Sequence, residues 1–323
     1  MKQIAIIGTG FSSLILANEL KNNDNFDVTF FEKSRGVGGR IATRHNEEWE
    51  FDHGAPCFEA NETRFLEFLT PLTNAGIIAK WQPRIVNSHM TKIDSDLEYF
   101  IGTPKMNSLP KALSYGFKIE FETTILAMQN INNQWFLQND NTHKASNLFD
   151  IIITSTPPEQ VYNILPEGCS YKNTLQSYKM LPQFVTLVGF NEEIDFNFDI
   201  MQVQNSKIEK IVINHNKISR NSKPSVLVYS NKDFASENIN VDKEQIGEIL
   251  LSEFQSLTKI YLIPQMIQTH KWLYSVPRQE SRALHLCDNN LNIFSCGDWL
   301  SNGTIEGAFL SGIALAKYLL ENI

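Results

Sequence analysis

The sequence predicts an α/β chain, α+β overall: a discontinuous parallel-sheet domain wound with helices, joined to a second domain built on antiparallel sheet. Three observations carry that expectation. QIAII, residues 3–7, is a short β-branched run that turns through GTG into the apolar stretch FSSLILANEL. FDIIITSTPP, residues 149–158, is a second buried-strand run far along the chain, stopped by two prolines. Residues 160–280 contain further strand runs, FVTLVGF and SVLVYS, and a helix near 241–257, as expected of a largely antiparallel sheet.

The first fifty residues are the most informative. QIAII reads as a buried parallel strand. LILANELKNN, residues 14–23, reads as a helix with Leu14, Ala17 and Leu20 near one face. DVTFF, residues 27–31, reads as a second strand with Glu32 at its end. A strand, glycine turn, helix and strand within about 30 residues has the form of a Rossmann-like dinucleotide-binding unit. In that unit Gly8 permits the tight turn. Gly10 lets the backbone approach a pyrophosphate, which amide N–H groups and the helix start then hold. Glu32 lies 22 residues after Gly10, where a carboxylate accepts hydrogen bonds from ribose hydroxyls. Ser12 follows in the same turn, and Ser13 replaces the third glycine of the fingerprint while staying small enough for close helix packing.

A glycine-rich stretch, EKSRGVGGRIATR, starts at that same glutamate. Its plain alternative is a solvated basic loop. Behind a ribose-binding carboxylate it acquires a purpose: Lys33, Gly38 and Gly39 line the dinucleotide, the glycines with unhindered amides, and Arg40 reaches the pyrophosphate with a forked contact.

Composition narrows the class. The hydrophobic set is 42% of 323 residues and charged residues 20%, enough for two domains with ample core. A net charge of −8 argues against general nucleic-acid binding. Cys57, Cys169, Cys287 and Cys296 form no CxxC pair, so neither a zinc site nor a disulfide framework is expected, and a reducing cytoplasm is the simplest compartment. No run reaches the roughly 18 apolar residues of a membrane span, and glycines interrupt the apolar N-terminus where a signal peptide would be continuous.

Four motifs in order carry a family resemblance. GTGFSS with Glu32 and GVGGRIATR resembles the paired FAD motifs of the amine-oxidase-like flavoproteins, and FDHGAPCF, THKWLYSVP and CGDWLSNGTIEGAFLSG resemble the renalase-like branch, particularly its bacterial forms. The resemblance implies non-covalent FAD. It places His53, Gly54 and Ala55 beside the flavin and the backbone of Ile125 at the adenine. It gives Gly297 and Asp298 to the ribityl chain, and the amides of Ile305 and Glu306 to the pyrimidine end of the ring. It also implies oxidation of 2- and 6-dihydro isomers of NAD(P)H to NAD(P)+, with O2 returning hydrogen peroxide. Two departures bear on the substrate side. Pro56-Cys57 stands where a Gln-Tyr pair is usual, and Thr304 where arginine is frequent.

Substrate-side candidates are His270, Trp272, Cys57, Phe58 and Thr304. His270 and Trp272 have a structural alternative as packed residues, His53 one as a loop anchor, and Cys57 one as a small inert filler. Lys271, Arg278 and Arg282 either meet a phosphate-bearing substrate or are solvated. No acid–base triad is expected, because a flavin carries its own chemistry. Two other functions stay open: oxidation of a small amine, and a redox module that binds FAD with little turnover. The FAD domain is expected to take residues 1–60, 102–160 and 283–323, and the substrate domain 61–101 and 161–282. In 61–101, NETRFLEFLT reads as a helix and the stretch after it as strands. Ser108-Leu109-Pro110 reads as a helix start, and KIEFETTILAMQ with WFLQN as a hairpin or meander.

Overall fold

The computed structural model describes residues 1–46, 48–140 and 147–323. The chain divides into two compact units, one of residues 1–39, 110–180 and 276–323, the other of residues 40–109 and 181–275. The expected bounds differ by short segments: 40–60 and 102–109 fall in the second unit, 161–180 and 276–282 in the first. The reason is local. Trp49 lies against the Gly189 backbone, where a Cβ would come within 2.8 Å of its ring. Asp52 is paired with Lys217 and Arg220. The 49–52 segment therefore packs within the second unit.

The first unit is built on a six-stranded sheet. Its spatial order is His285–Asp288, Ile293–Cys296, Ile151–Thr154, Lys2–Ile7, Phe26–Phe31 and Lys118–Glu120. All neighbours pair in parallel except the outermost hairpin, His285–Asp288 with Ile293–Cys296. Ile4, Ile6, Ile151, Ile152, Ile153, Ile293 and Phe294 are fully buried, as expected of strands covered on both faces. The mixed α/β class and the parallel Rossmann-like sheet agree with the sequence reading.

Two local expectations are corrected. The first helix runs Phe11–Leu20, not 14–23. It begins directly after Gly10, and Phe11, Ser12 and Ser13 are buried in its first turn. KIEFETTILAMQ is not one strand. Lys118–Glu120 joins the parallel sheet, and Ile125–Ile131 pairs with Gln134–Asn139 in a separate hairpin. Glu122 turns the chain between them with φ +52°, and the two sides of the break clasp Glu32, whose N–H donates to Glu120 O and whose carbonyl accepts from Thr123 N.

Helix Phe11–Leu20 packs on the C-terminal helix Ile305–Asn322. A Cβ on Gly312 would lie 2.3 Å from the Ser12 carbonyl. Close approach of the two helices is therefore supplied by a glycine on the partner helix. The Ser13 hydroxyl bonds to the carbonyls of Gly8 and Gly10 at 2.8 and 2.9 Å and ties the turn together.

The second unit holds another six-stranded sheet, in the order Met266–Pro277, Met180–Gly189, Ser225–Ser230, Ile208–Ile213, Ile200–Gln202 and Ile85–Asn87. From Met180–Gly189 through Ser225–Ser230 and Ile208–Ile213 to Ile200–Gln202 the neighbours pair antiparallel, and Ile85–Asn87 joins Ile200–Gln202 in parallel. Helix Lys243–Thr258 covers it, burying Ile246, Leu250 and Phe254 against Phe184, Val226 and Val228. A three-stranded sheet of Phe58–Ala60, Glu98–Gly102 and Ile78–Trp81 and the helix Thr63–Asn74 complete the unit.

Candidate functional site

In the first unit the glycine turn sits at the carboxyl end of the central strand, where open parallel sheets bind their ligands. Gly8 has φ +95°, and a Cβ there would meet Thr156 Cγ2 at 3.0 Å. Gly10 is the N-cap of the helix Phe11–Leu20 and offers no side chain to its first-turn amides. That opening suits an anion held by N–H groups. Ser12 Oγ meets Ser155 Oγ at 3.0 Å, so the turn is braced by the neighbouring strand end.

Glu32 is buried, and its carboxylate is held from both sides. Thr9 donates its N–H at 3.0 Å and its hydroxyl at 2.6 Å to Oε2, and Ser34 N–H donates to Oε1 at 2.8 Å. Three donors orient the group at the strand end and still leave lone pairs for ribose hydroxyls. Lys33, next in the chain, is exposed.

The glycine-rich loop is tied to both its neighbours by hydrogen bonds. Gly38 has φ +105°, but its N–H donates to Thr9 O at 2.9 Å, so that amide anchors the loop to the first turn. Gly39 has φ +53° with open space where a Cβ would sit. Arg40 Nη1 donates to the Ser275 carbonyl at 2.8 Å. Its guanidinium is thus engaged within the second unit.

Near the C-terminus, Gly297 N–H donates to Ser311 Oγ at 2.8 Å, and a Cβ at 297 would fall 2.4 Å from Trp299 Nε1. Asp298 is buried, and its carbonyl accepts from Ser301 and Gly303. Thr304 caps the C-terminal helix Ile305–Asn322. Its hydroxyl accepts from Gly307 N at 2.9 Å and donates to Asn302 Oδ1 at 2.6 Å. Gly307 and Ala308 N–H are spent on Thr304, which leaves the first-turn amide of Ile305 open ahead of Glu306. Cys296 is buried and its thiol is pushed up to about 12. It stays protonated at pH 7. Ile125 opens its hairpin strand opposite Asn139 and is buried.

In the second unit the 51–55 segment is locked in place. Asp52 is fully buried and accepts from Lys217 Nζ at 3.0 Å, Arg220 Nη2 at 2.6 Å, Thr43 Oγ1 at 2.7 Å and Met106 N at 3.1 Å. Burial alone would raise its carboxyl. Lys217 and Arg220, with the Thr43 hydrogen bond, outweigh burial and bring it down to about 2. Burial lowers the Lys217 ammonium, with Asp52 opposing. Tyr229 OH donates to the carbonyls of Asp52 and Gly54 at 3.1 and 2.9 Å. None of these partners was visible in the sequence. Lys217 and Arg220 lie in NHNKISRNSK, a polar stretch with no period to mark it as interior.

Gly54 is a steric requirement, because a Cβ there would be 1.8 Å from Arg40 O. The Ala55 N–H donates to the same carbonyl at 2.8 Å, so this amide belongs to the loop. Gly54→Ala is expected to destabilise the protein by about 2–4 kcal/mol, as overpacking against backbone does. A denaturant titration showing less than 1 kcal/mol, on the order of ordinary surface changes, would contradict this geometry.

His53, His270 and Trp272 form one aromatic group. His53 stacks on Trp272, with centroids 5.3 Å apart and planes 23° apart, and meets His270 edge-on at 4.9 Å. His270 and Trp272 are 4.4 Å apart, on one face of the same strand. Trp272 Nε1 donates to the His53 carbonyl at 2.9 Å. Burial, then His270 and Arg44, bring His53 down to about 3. Burial, then Arg44 and Lys243, bring His270 down to about 4. Both rings are neutral at pH 7. Phe58 is corrected to a core residue, 5% exposed and stacked on Phe100 at 5.7 Å. Cys57 is half-buried and burial pushes its thiol up, so it has no thiolate character. All four cysteines are free. No group of three metal-ligating side chains occurs among the described residues, and none of their helices is long and apolar enough to cross a membrane.

The histidines set a pH window. The His53 proton is bound more readily by the unfolded chain, at 6.5, than by the folded one, at about 3. Stability therefore rises with pH across that interval and is lost as pH falls below 6.5. Between pH 7.5 and pH 4 the loss from His53 is about 3 kcal/mol. Urea titrations at the two pH values should show it, and His53→Gln should remove most of it. An unchanged pH dependence in that variant would contradict a buried neutral His53.

Residues 6–72 match the NAD(P)-binding Rossmann-like domain family. The whole chain is similar in fold to the solved structure of an Exiguobacterium sp. 255-15 protein provisionally described as a protoporphyrinogen oxidase. The TM-score is 0.80 and the identity 11%, over 99% of each chain.

Proposed function

We propose that the chain is an FAD-dependent oxidase of the renalase-like kind, acting on 2- and 6-dihydro isomers of NAD(P)H. The observation that carries the cofactor half is Glu32, a buried carboxylate braced by Thr9 and Ser34 beside a glycine turn whose helix start has no cap of its own. A Rossmann-like domain family match over residues 6–72 supports a dinucleotide there. The description of the Exiguobacterium neighbour is compatible with oxidase chemistry on this fold.

In this reading Gly8, Gly10 and the first-turn amides hold the pyrophosphate, Glu32 the adenosine ribose, and Asp298 the ribityl chain. The Ile305 amide and the dipole of its 18-residue helix favour negative charge at the ring's pyrimidine end. Bound FAD would supply the two-electron acceptor for substrate hydride, with O2 as the final acceptor giving hydrogen peroxide. The neutral His53 and His270 neither repel a cationic nicotinamide product nor compete as proton donors at pH 7. Among the described residues no side chain is asked to take a proton, in keeping with hydride transfer.

The test is the anaerobic visible spectrum of the purified protein with a mixture of 2- and 6-dihydro NAD(P). The expected result is a yellow protein that bleaches with the isomers and not with 4-dihydro NADH. Bound flavin that no isomer reduces would sink the substrate. A colourless protein that cannot be reconstituted with FAD would sink the cofactor as well.

A further inference from the structure

We propose that Arg44, beside the ring group of His53, His270 and Trp272, is the anion-binding residue of the second unit, and that it takes a phosphate tethered to a flat, nicotinamide-like ring. The inference rests on the substrate class proposed above and adds to it the residue that would recognise the nucleotide part.

Three observations converge. Strand Arg44–Asn46 pairs with Trp49–Phe51 so that Arg44 stands opposite Phe51, two residues before His53. Its guanidinium makes no hydrogen bond or ion pair among the described residues, although it is only partly exposed. A half-buried guanidinium with no carboxylate partner among the described residues keeps donors for another acceptor, and a phosphate matches that fork. Next, His53 is 6% exposed, and its Nδ1 is buried without a hydrogen-bond partner. A buried polar atom left open in this way calls for a ligand or ordered water. Finally, Trp272 and the two imidazoles provide flat apolar faces of the kind on which an aromatic ring stacks.

The surrounding charges agree. Arg44 and Lys243 both act on His270, and both are cations. The one carboxylate acting on His53 is Asp52. Its Oδ2 is already shared between Lys217 and Arg220, and its Oδ1 between Thr43 and Met106. Two cations act on this group and the nearby carboxylate is already paired, which favours the phosphate of a nucleotide as the added charge.

The experiment compares two probes that share a ring and differ by one phosphate. Nicotinamide mononucleotide and nicotinamide riboside, both in the oxidised form, are titrated by calorimetry into the full chain as purified. The mononucleotide is expected to bind at least about tenfold more tightly, the scale of one charge-assisted contact. Arg44→Gln should bring the two affinities within about twofold of each other, and Arg44→Lys should restore part of the difference. Equal affinities in the unaltered protein, or a preference that survives Arg44→Gln, would overturn the proposal. So would inorganic phosphate competing as strongly as the mononucleotide, because the ring would then contribute nothing. The readout is binding and does not depend on turnover. A protein whose flavin no isomer reduces, yet which shows the Arg44-dependent preference, would separate failure of the oxidase reading from failure of this one.

Discussion

Asp52→Ala is expected to lower stability by about 3–5 kcal/mol, the range for breaking a buried ion pair from one side. The cost arises from what remains. Lys217 and Arg220 have fully buried side chains at this position, and without the carboxylate two cations are left unpaired next to each other. Asp52→Asn should cost nearly as much, because an amide offers one acceptor oxygen where Asp52 uses two. Asp52→Asn combined with Lys217→Met should recover part of the loss, since the second change removes one stranded charge. Urea unfolding of the three variants checks this. A loss below about 1 kcal/mol for Asp52→Ala, on the order of exposed ion pairs, would contradict the buried cluster.

The same cluster has a pH signature of defined sign. The Asp52 carboxyl is lowered from 3.8 to about 2 in the folded protein. Its contribution is therefore complete above pH 3.8 and is lost as pH falls through about 2. The His53 effect sits higher, below 6.5. Acid unfolding should accordingly show a histidine phase first and a carboxylate phase later, and the later one should be missing in Asp52→Asn.

The second large effect concerns Glu32→Gln. The carboxylate accepts N–H donors at both oxygens, from Thr9 and from Ser34. An amide in the same place must turn its NH2 toward one of those N–H groups, whichever way it flips. The expected cost is about 1–3 kcal/mol for the unsatisfied donor. If FAD is the ligand, the ribose contact is also weakened, and affinity should fall by about 10- to 100-fold. Flavin release measured by dialysis at several protein concentrations gives the number. Retention of flavin at the original affinity would remove Glu32 from the ribose site.

Much of the first unit was legible because its signals are local. A β-branched run, two glycines and a carboxylate at the end of the next strand lie within one βαβ unit, and each reports its own backbone need. Ser13 looked like a defect in that pattern. In three dimensions its hydroxyl ties the glycine turn through the carbonyls of Gly8 and Gly10, while the close helix contact falls to Gly312 against the Ser12 carbonyl, which no local window connects to it. Thr304 shows the opposite case. Its hydroxyl caps the C-terminal helix through Gly307 N, and the three-residue spacing that permits this is local and present in the sequence.

The sequence by itself determined the class of fold, the glycine turn, Glu32 and the helix start after Asp298. These depend on φ angles, strand periodicity and short spacings, which are properties of neighbours along the chain. Only the tertiary structure decided that Asp52 is a buried counter-ion, that Arg40 donates to the Ser275 carbonyl, that Phe58 is buried, and that Arg44 stands opposite Phe51 on the neighbouring strand. Each of those roles depends on burial and on partners more than a hundred residues apart or on another strand. Desolvation and ion pairing act through space, so residues such as Lys217 and Arg220 carry no mark of their role until the chain has folded around them.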